Sequence, residues 1–177
     1  MTVKISVASH IGKYRKEQED AFLVESSPAK GEQLLVVADG MGGHQHGKWA
    51  ADTCVKVFED NSEETLENLC KLADEKVSLG PPGFTRRFSN NSPGTTVVAG
   101  RLKENSLKLV SVGDSYIYKI TDKVETLNTI HEGAGGGLTS FIGREIEFNV
   151  GQISLSEVWG KVAGLARYLV EQGNVIN

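Results

Sequence analysis

The chain has 177 residues, of which 39% are apolar, 24% charged and 20 are glycine, within the range of a globular domain with a real hydrophobic core. Nineteen Lys and Arg against 23 Asp and Glu leave a net charge of −4, which argues against sequence-independent nucleic-acid binding. No apolar run is long enough to span a bilayer, and Met1 to Ile5 lacks the basic-then-apolar layout of a signal peptide. Cys54 and Cys70 form no C-x-x-C pair and are expected as small buried hydrophobes in a reducing cytoplasm.

Val3, Ile5 and Val7 alternate as a half-buried strand does. Ala21–Glu25 and Gln33–Ala38 are two more apolar runs, separated by the turn signal Pro28-Ala29-Lys30-Gly31. A hairpin centred between Ala29 and Lys30 sets Asp20 opposite Asp39 and Glu19 opposite Gly40, so three carboxylates reach one end of one hairpin. Helical spacing follows twice: Trp49, Ala50, Thr53, Cys54, Val57 and Phe58, then Leu66, Leu69, Cys70, Ala73 and Val77. Ser62 is the expected N-cap of the second helix. Leu79 to Pro93, with prolines and arginines, is expected as an exposed loop.

Strand signals return at Thr95–Leu102, Leu107–Val112, Tyr116–Thr121 and Val124–Leu127, with Gly113-Asp114-Ser115 as a turn. His131–Gly137 holds four glycines and is expected to be flexible or tightly bent. Val158, Val162, Leu165, Ala166, Leu169 and Val170 share a helical face that Gly173 would end. Strands dominate and no β-α alternation appears, which argues for an α+β fold with mostly antiparallel sheet.

Leu34 to His44 is the most informative stretch: a buried strand delivers Asp39 into the glycine-rich turn Gly40-Met41-Gly42-Gly43-His44. Glycine lets peptide carbonyls approach a ligand closely, and carboxylate and carbonyl oxygens are the hard donors that Mg²⁺ and Mn²⁺ prefer. Glu19 and Asp20 beside Asp39 would repel unless a cation sits among them. Arg15 could take a phosphate group in a bidentate grip. Asp114 is either one more metal or water ligand or an ordinary polar turn residue.

In this order the chain resembles the metal-dependent Ser/Thr protein phosphatases of the 2C type, the PPM family. The matching pieces are Gly12-x-x-Arg15-x-x-x-Glu19-Asp20, Asp39-Gly40-Met41-Gly42-Gly43-His44, Gly94-Thr95-Thr96, Val112-Gly113-Asp114-Ser115 and Leu138-Thr139-Ser140-Phe141-Ile142-Gly143. The resemblance implies a sandwich of two packed antiparallel β-sheets flanked by α-helices, with two Mg²⁺ or Mn²⁺ ions at one end. It implies that Asp39 bridges the metals, that Glu19 and the Gly40 carbonyl complete the second metal's ligands, and that Asp20 orients water. It further implies that Arg15 holds the substrate phosphate and that Asp114 serves an additional, weaker metal. The reaction implied is hydrolysis of a phosphoserine or phosphothreonine ester on a protein by a metal-activated water.

Two departures from the family pattern bear on the first metal. Leu155-Ser156-Glu157-Val158-Trp159 stands where the family has Ser-Asp-Gly, so Glu157 is either a longer substitute ligand or a charge at a helix start. The closing Asp-Asn-x-Thr strand is absent, and Asn128–Gly137 is shorter than the family's flap. The expectation is a single, shortened domain over residues 1–177, with one of the two metals lost or kept. An active cytoplasmic phosphatase and a pseudophosphatase serving as a binding or regulatory module both stay open. Unpaired strand edges would favour a homodimer.

Overall fold

The structure is a computed structural model and describes residues 5–27, 31–41, 46–85, 92–120, 122–144, 146–154 and 161–165. Five strands form one antiparallel sheet in the order β1-β2-β3-β4-β7: Asp20–Ser27, Glu32–Asp39, Val97–Lys103, Ser106–Val112 and Asn149–Ser154. A second antiparallel sheet has the order β6-β5-β8, from Val124–Thr126, Tyr116–Ile120 and Lys161–Leu165. Two helices, α1 (Gly47–Asp60) and α2 (Leu66–Ser78), separate β2 from β3.

The larger sheet buries both faces, each with its own set of side chains. Leu34, Val36, Ala38, Val97, Ala99, Val110 and Val112 pack against Ala50, Cys54 and Phe58 of α1 and Leu69, Ala73 and Val77 of α2. The opposite face presents Val98, Leu102, Leu107 and Leu109 to Ile117 of β5, with Leu127 and Ile153 at the margin. Period-2 alternation therefore divides β2–β4 between two cores, as a helix–sheet–sheet stack requires. Cys54 and Cys70 are free and buried in the helix-side core, where burial pushes the Cys70 thiol up to about 12 and the Cys54 thiol up as well.

The β1–β2 pairing places Asp20 opposite Asp39, as the turn position predicts. The two helices, and strands β3 to β6, fall where their periodicities put them. Four elements differ. Ile5 to Ile11 has no strand, and Val7 and Ile11 are exposed; a strand needs a ladder partner, and none faces this segment among the described residues. The cap of α2 is Thr65, whose side chain accepts the Asn68 N–H at 3.2 Å, while the Ser62 hydroxyl donates to Glu25 instead. Lys161–Leu165 is a strand rather than part of a helix, because pairing with Tyr116–Ile120 satisfies its backbone and overrides local periodicity. β7 carries no sequence signal beyond the weak apolar pattern of Val150 and Ile153, and forms because β4 offers an open edge. Val3, the turn at Pro28–Lys30, Val158 and the segment from Ala166 to Gly173 lie outside the described residues.

Among the described residues, no helix is long and apolar enough to cross a membrane.

Candidate metal centre

The end of β2 carries Asp39 to the margin of the sheet, where three other segments close around it. The Gly40 N–H donates to the Glu19 carbonyl at 3.2 Å, which extends the β1–β2 ladder one step past Asp20. The Met41 N–H donates to the Gly94 carbonyl at 3.0 Å, and the Thr96 N–H donates to the Asp39 carbonyl at 2.9 Å. The Thr95 hydroxyl donates to that same carbonyl at 2.8 Å. In turn Thr95 exchanges backbone bonds with Ile142, at 3.1 and 2.9 Å. The Gly94-Thr95-Thr96 and Leu138–Gly143 elements therefore converge as the structural cradle of the Asp39 backbone.

Glycine is required here by contact. A Cβ on Gly40 would overlap the carbonyl of Gly47 and lie 2.8 Å from the carbonyl oxygen of Glu19. Both obstacles are backbone and cannot swing aside. Gly47, the first residue of α1, is equally confined by the Met41 carbonyl and the Glu19 carboxylate. The residue before it, His46, takes a left-handed conformation (φ 79°) to turn the chain into the helix.

The acids are crowded. Asp20 and Asp39 share a side-chain hydrogen bond, which raises Asp39 and lowers Asp20. Burial pushes Asp39 up to about 7, and the charges of Asp20 and Asp114 add to the shift while Arg15 opposes it. Asp20 is also raised by burial, against the opposing pull of its bond to Asp39 and of Arg15 and Lys48. Asp114 sits in the turn between β4 and β5, and the structure brings it to the same corner as the hairpin acids. Arg15 pairs with Glu19 through Nη1 and Oε2 at 2.5 Å. Gly42, Gly43, His44 and Glu157 lie outside the described residues.

Among the described residues, no three His, Cys, Asp or Glu side chains are arranged to enclose a metal by themselves. The donor set nevertheless fits a divalent cation. Buried acids with too little positive charge nearby are what a cation offsets, and Mg²⁺ characteristically takes one or two carboxylates and keeps several waters. In the structure as it stands, Glu19 faces Arg15, so holding an ion would require that pair to open.

Sequence motifs give Asp39, Asp20, Glu19, Gly40, Arg15 and Asp114 a role; Thr95, Thr96 and Ser115 lie in the same motifs without one, and Asn128 and His131 lie outside them. Those last five residues supply the support. The Gly113 N–H donates to His131 Nδ1 at 3.0 Å, and the His131 N–H returns a bond to the Gly113 carbonyl at 2.9 Å. Of the two expectations for His131–Gly137 the segment takes the tightly bent one: the Gly136 N–H donates to the Gly133 carbonyl and the Gly133 N–H to the Gly137 carbonyl, both at 2.9 Å, Glu132 bridges to Leu138, and His131 anchors the Asp114 turn. The signal available was a histidine placed just after a strand and before the glycines.

No family model matches the chain. A Streptococcus pyogenes protein named protein phosphatase 2C-type is 31% identical over 136 residues, covering 72% of this chain and 54% of that protein. The Listeria innocua serine/threonine phosphatase stp is 27% identical over 138 residues, 68% of this chain and 53% of the relative. The Mycobacterium tuberculosis serine/threonine protein phosphatase PstP is 30% identical over 128 residues, 69% of this chain and 24% of the relative. The chain thus spans about half the length of the first two. Among solved structures, the S. agalactiae serine/threonine phosphatase superposes with a TM-score of 0.71 at 22% identity, covering 86% of this chain and 74% of that one. Stp1 from Staphylococcus aureus gives 0.71 at 21%, with 84% and 70% covered. Those two likenesses concern the fold, and the sequence relatives carry the rest: the chain belongs to the protein phosphatase 2C type.

Proposed function

We propose that this chain is a Mg²⁺- or Mn²⁺-dependent phosphoprotein phosphatase acting on phosphoserine and phosphothreonine esters. The observation that carries the reading is the corner where Asp20, Asp114 and Arg15 all act on Asp39, at the end of the β1–β2 hairpin. In this reading Asp39, Glu19 and the carbonyl of Gly40 hold the cation, Asp114 serves a weaker one, and Glu157 stands in for the missing aspartate of the first site. A bound cation supplies charge to offset the phosphoryl oxygens and makes its water more acidic. Asp20, beside Asp39, would orient the attacking water and accept its proton at a carboxylate oxygen. Arg15, whose guanidinium pairs with Glu19, would grip the substrate phosphate once Glu19 turns to the cation.

The names of the relatives, each a phosphatase, support the reaction class. Residues 1–177 form one domain, in which Asn128–Gly137 is shorter than the family's usual flap. The free, buried thiols of Cys54 and Cys70 suit a reducing, cytoplasmic setting. The test is release of phosphate from a phosphoserine peptide across a Mg²⁺ and Mn²⁺ series, with Asp39→Asn as control. Manganese-stimulated turnover lost in the variant is the expected result. No turnover at any metal concentration would overturn the reading.

A second reading is a pseudophosphatase that binds phosphorylated protein without hydrolysis. It is favoured by Glu157 in place of aspartate and by the Arg15–Glu19 pair, which occupies one expected metal ligand. Saturable phosphopeptide binding with no phosphate released would select it.

A further inference from the structure

Behind the acids lies a hydrogen-bonded link that the proposed mechanism does not use. Thr96 and Ser115 are both buried, and their hydroxyl oxygens lie 2.6 Å apart. Thr96 is fastened to Asp39 on both sides of the peptide: its hydroxyl accepts the Asp39 N–H at 3.3 Å, and its own N–H donates to the Asp39 carbonyl at 2.9 Å. Ser115 directly follows Asp114, and its carbonyl accepts the Asn128 side-chain N–H at 2.9 Å. The Thr96 methyl also fills the space where a Cβ on Gly113 would fall, 2.7 Å away, and Gly113 has a left-handed φ of 99°. One side chain therefore touches the segment bearing Asp39 and the turn bearing Asp114.

We propose that Thr96 and Ser115 form a hydroxyl clamp that sets the spacing between Asp39 and Asp114, and so the affinity of this corner for a divalent cation. They are positioning residues: neither is charged, and neither is needed as a ligand. The two acids repel, and the clamp opposes that repulsion through a short bond that water cannot compete for. The proposal rests on the metal-dependent reading above.

The experiment is Mn²⁺ titration by calorimetry on the full chain, with metal-free melting measured in parallel, for the wild type, Ser115→Ala, Thr96→Val and Thr96→Ser. Ser115→Ala and Thr96→Val are each expected to weaken Mn²⁺ binding about tenfold, the scale of one lost buried hydrogen bond. A Thr96→Val/Ser115→Ala double variant, titrated alongside, is expected to be no weaker than Thr96→Val alone, because Thr96→Val already removes the link that Ser115→Ala breaks. Thr96→Ser keeps the hydroxyl and is expected to stay within about twofold of wild type. Should Thr96→Val fail to fold, Ser115→Ala and Thr96→Ser decide the matter. A Ser115→Ala protein that melts lower yet binds Mn²⁺ like wild type overturns the clamp and leaves the phosphatase reading intact. A wild type that binds no Mn²⁺ overturns both.

Discussion

Asp39 concentrates the molecule's unfavourable electrostatics in one carboxyl group. Its pKa is raised from 3.8 to about 7, so the native state holds a proton that the unfolded chain releases at lower pH. The sign follows: without metal, the stability associated with this group is fully present below about pH 4 and is lost as pH rises to about 7. The loss is on the order of 2–4 kcal/mol, or roughly 5–15 °C in melting temperature for a domain this size. A divalent cation should restore it at pH 8 and do little at pH 5. Asp39→Asn should melt higher than wild type at pH 8 without metal, and gain nothing from Mg²⁺ or Mn²⁺; melts at both pH values, with and without metal, check this. Gly40→Ala tests the same corner sterically. Its Cβ meets backbone from Gly47 and Glu19, so the variant should lose at least about 2 kcal/mol and its cation response together.

Elements whose hydrogen bonds and apolar faces are local were legible before any coordinates. The β1–β2 hairpin follows from one turn and two apolar runs, so the Asp20–Asp39 pairing could be read directly. α1 and α2 follow from their buried stripes, as Ala50, Cys54 and Phe58, then Leu69, Ala73 and Val77, show. Elements that owe their form to a distant partner were not legible. β8 carries a helical period and becomes a strand only because β5 supplies a ladder, and Ile5–Val7 carries a strand period but meets no ladder among the described residues. Thr95 and Thr96 belong to a readable motif, yet their work on the Asp39 backbone spans more than fifty positions of sequence. The cap of α2 gives a direct check at this scale. Thr65→Ala should cost about 1 kcal/mol, roughly 2–4 °C, by leaving the Asn68 N–H without its acceptor. Ser62→Ala should leave the helix intact and instead strip the Glu25 carboxylate of a donor.

At the scale of the whole molecule, the two sheets are unequal, and the three-stranded layer covers only part of the five-stranded one. Val98, Leu102, Leu107 and Leu109 are sealed by Ile117 and Leu127, but the same face continues across β2 to Phe22 and Val24 of β1. Those two remain 49% and 40% exposed on an edge strand. An apolar strip at a sheet edge is prone to associate, and two copies meeting there would bury it and pair the backbone groups of β1 that no strand among the described residues takes up. We therefore expect self-association that grows with protein concentration and weakens little with salt, since no ion pair is needed to drive it. Phe22→Lys with Val24→Thr should leave the melting temperature within about 2 °C of wild type, because neither side chain is in the core, while shifting the protein toward monomer. Light scattering across a concentration series reads the outcome: a wild type that stays monomeric throughout, or a double variant that associates equally well, would show that this strip holds no second copy.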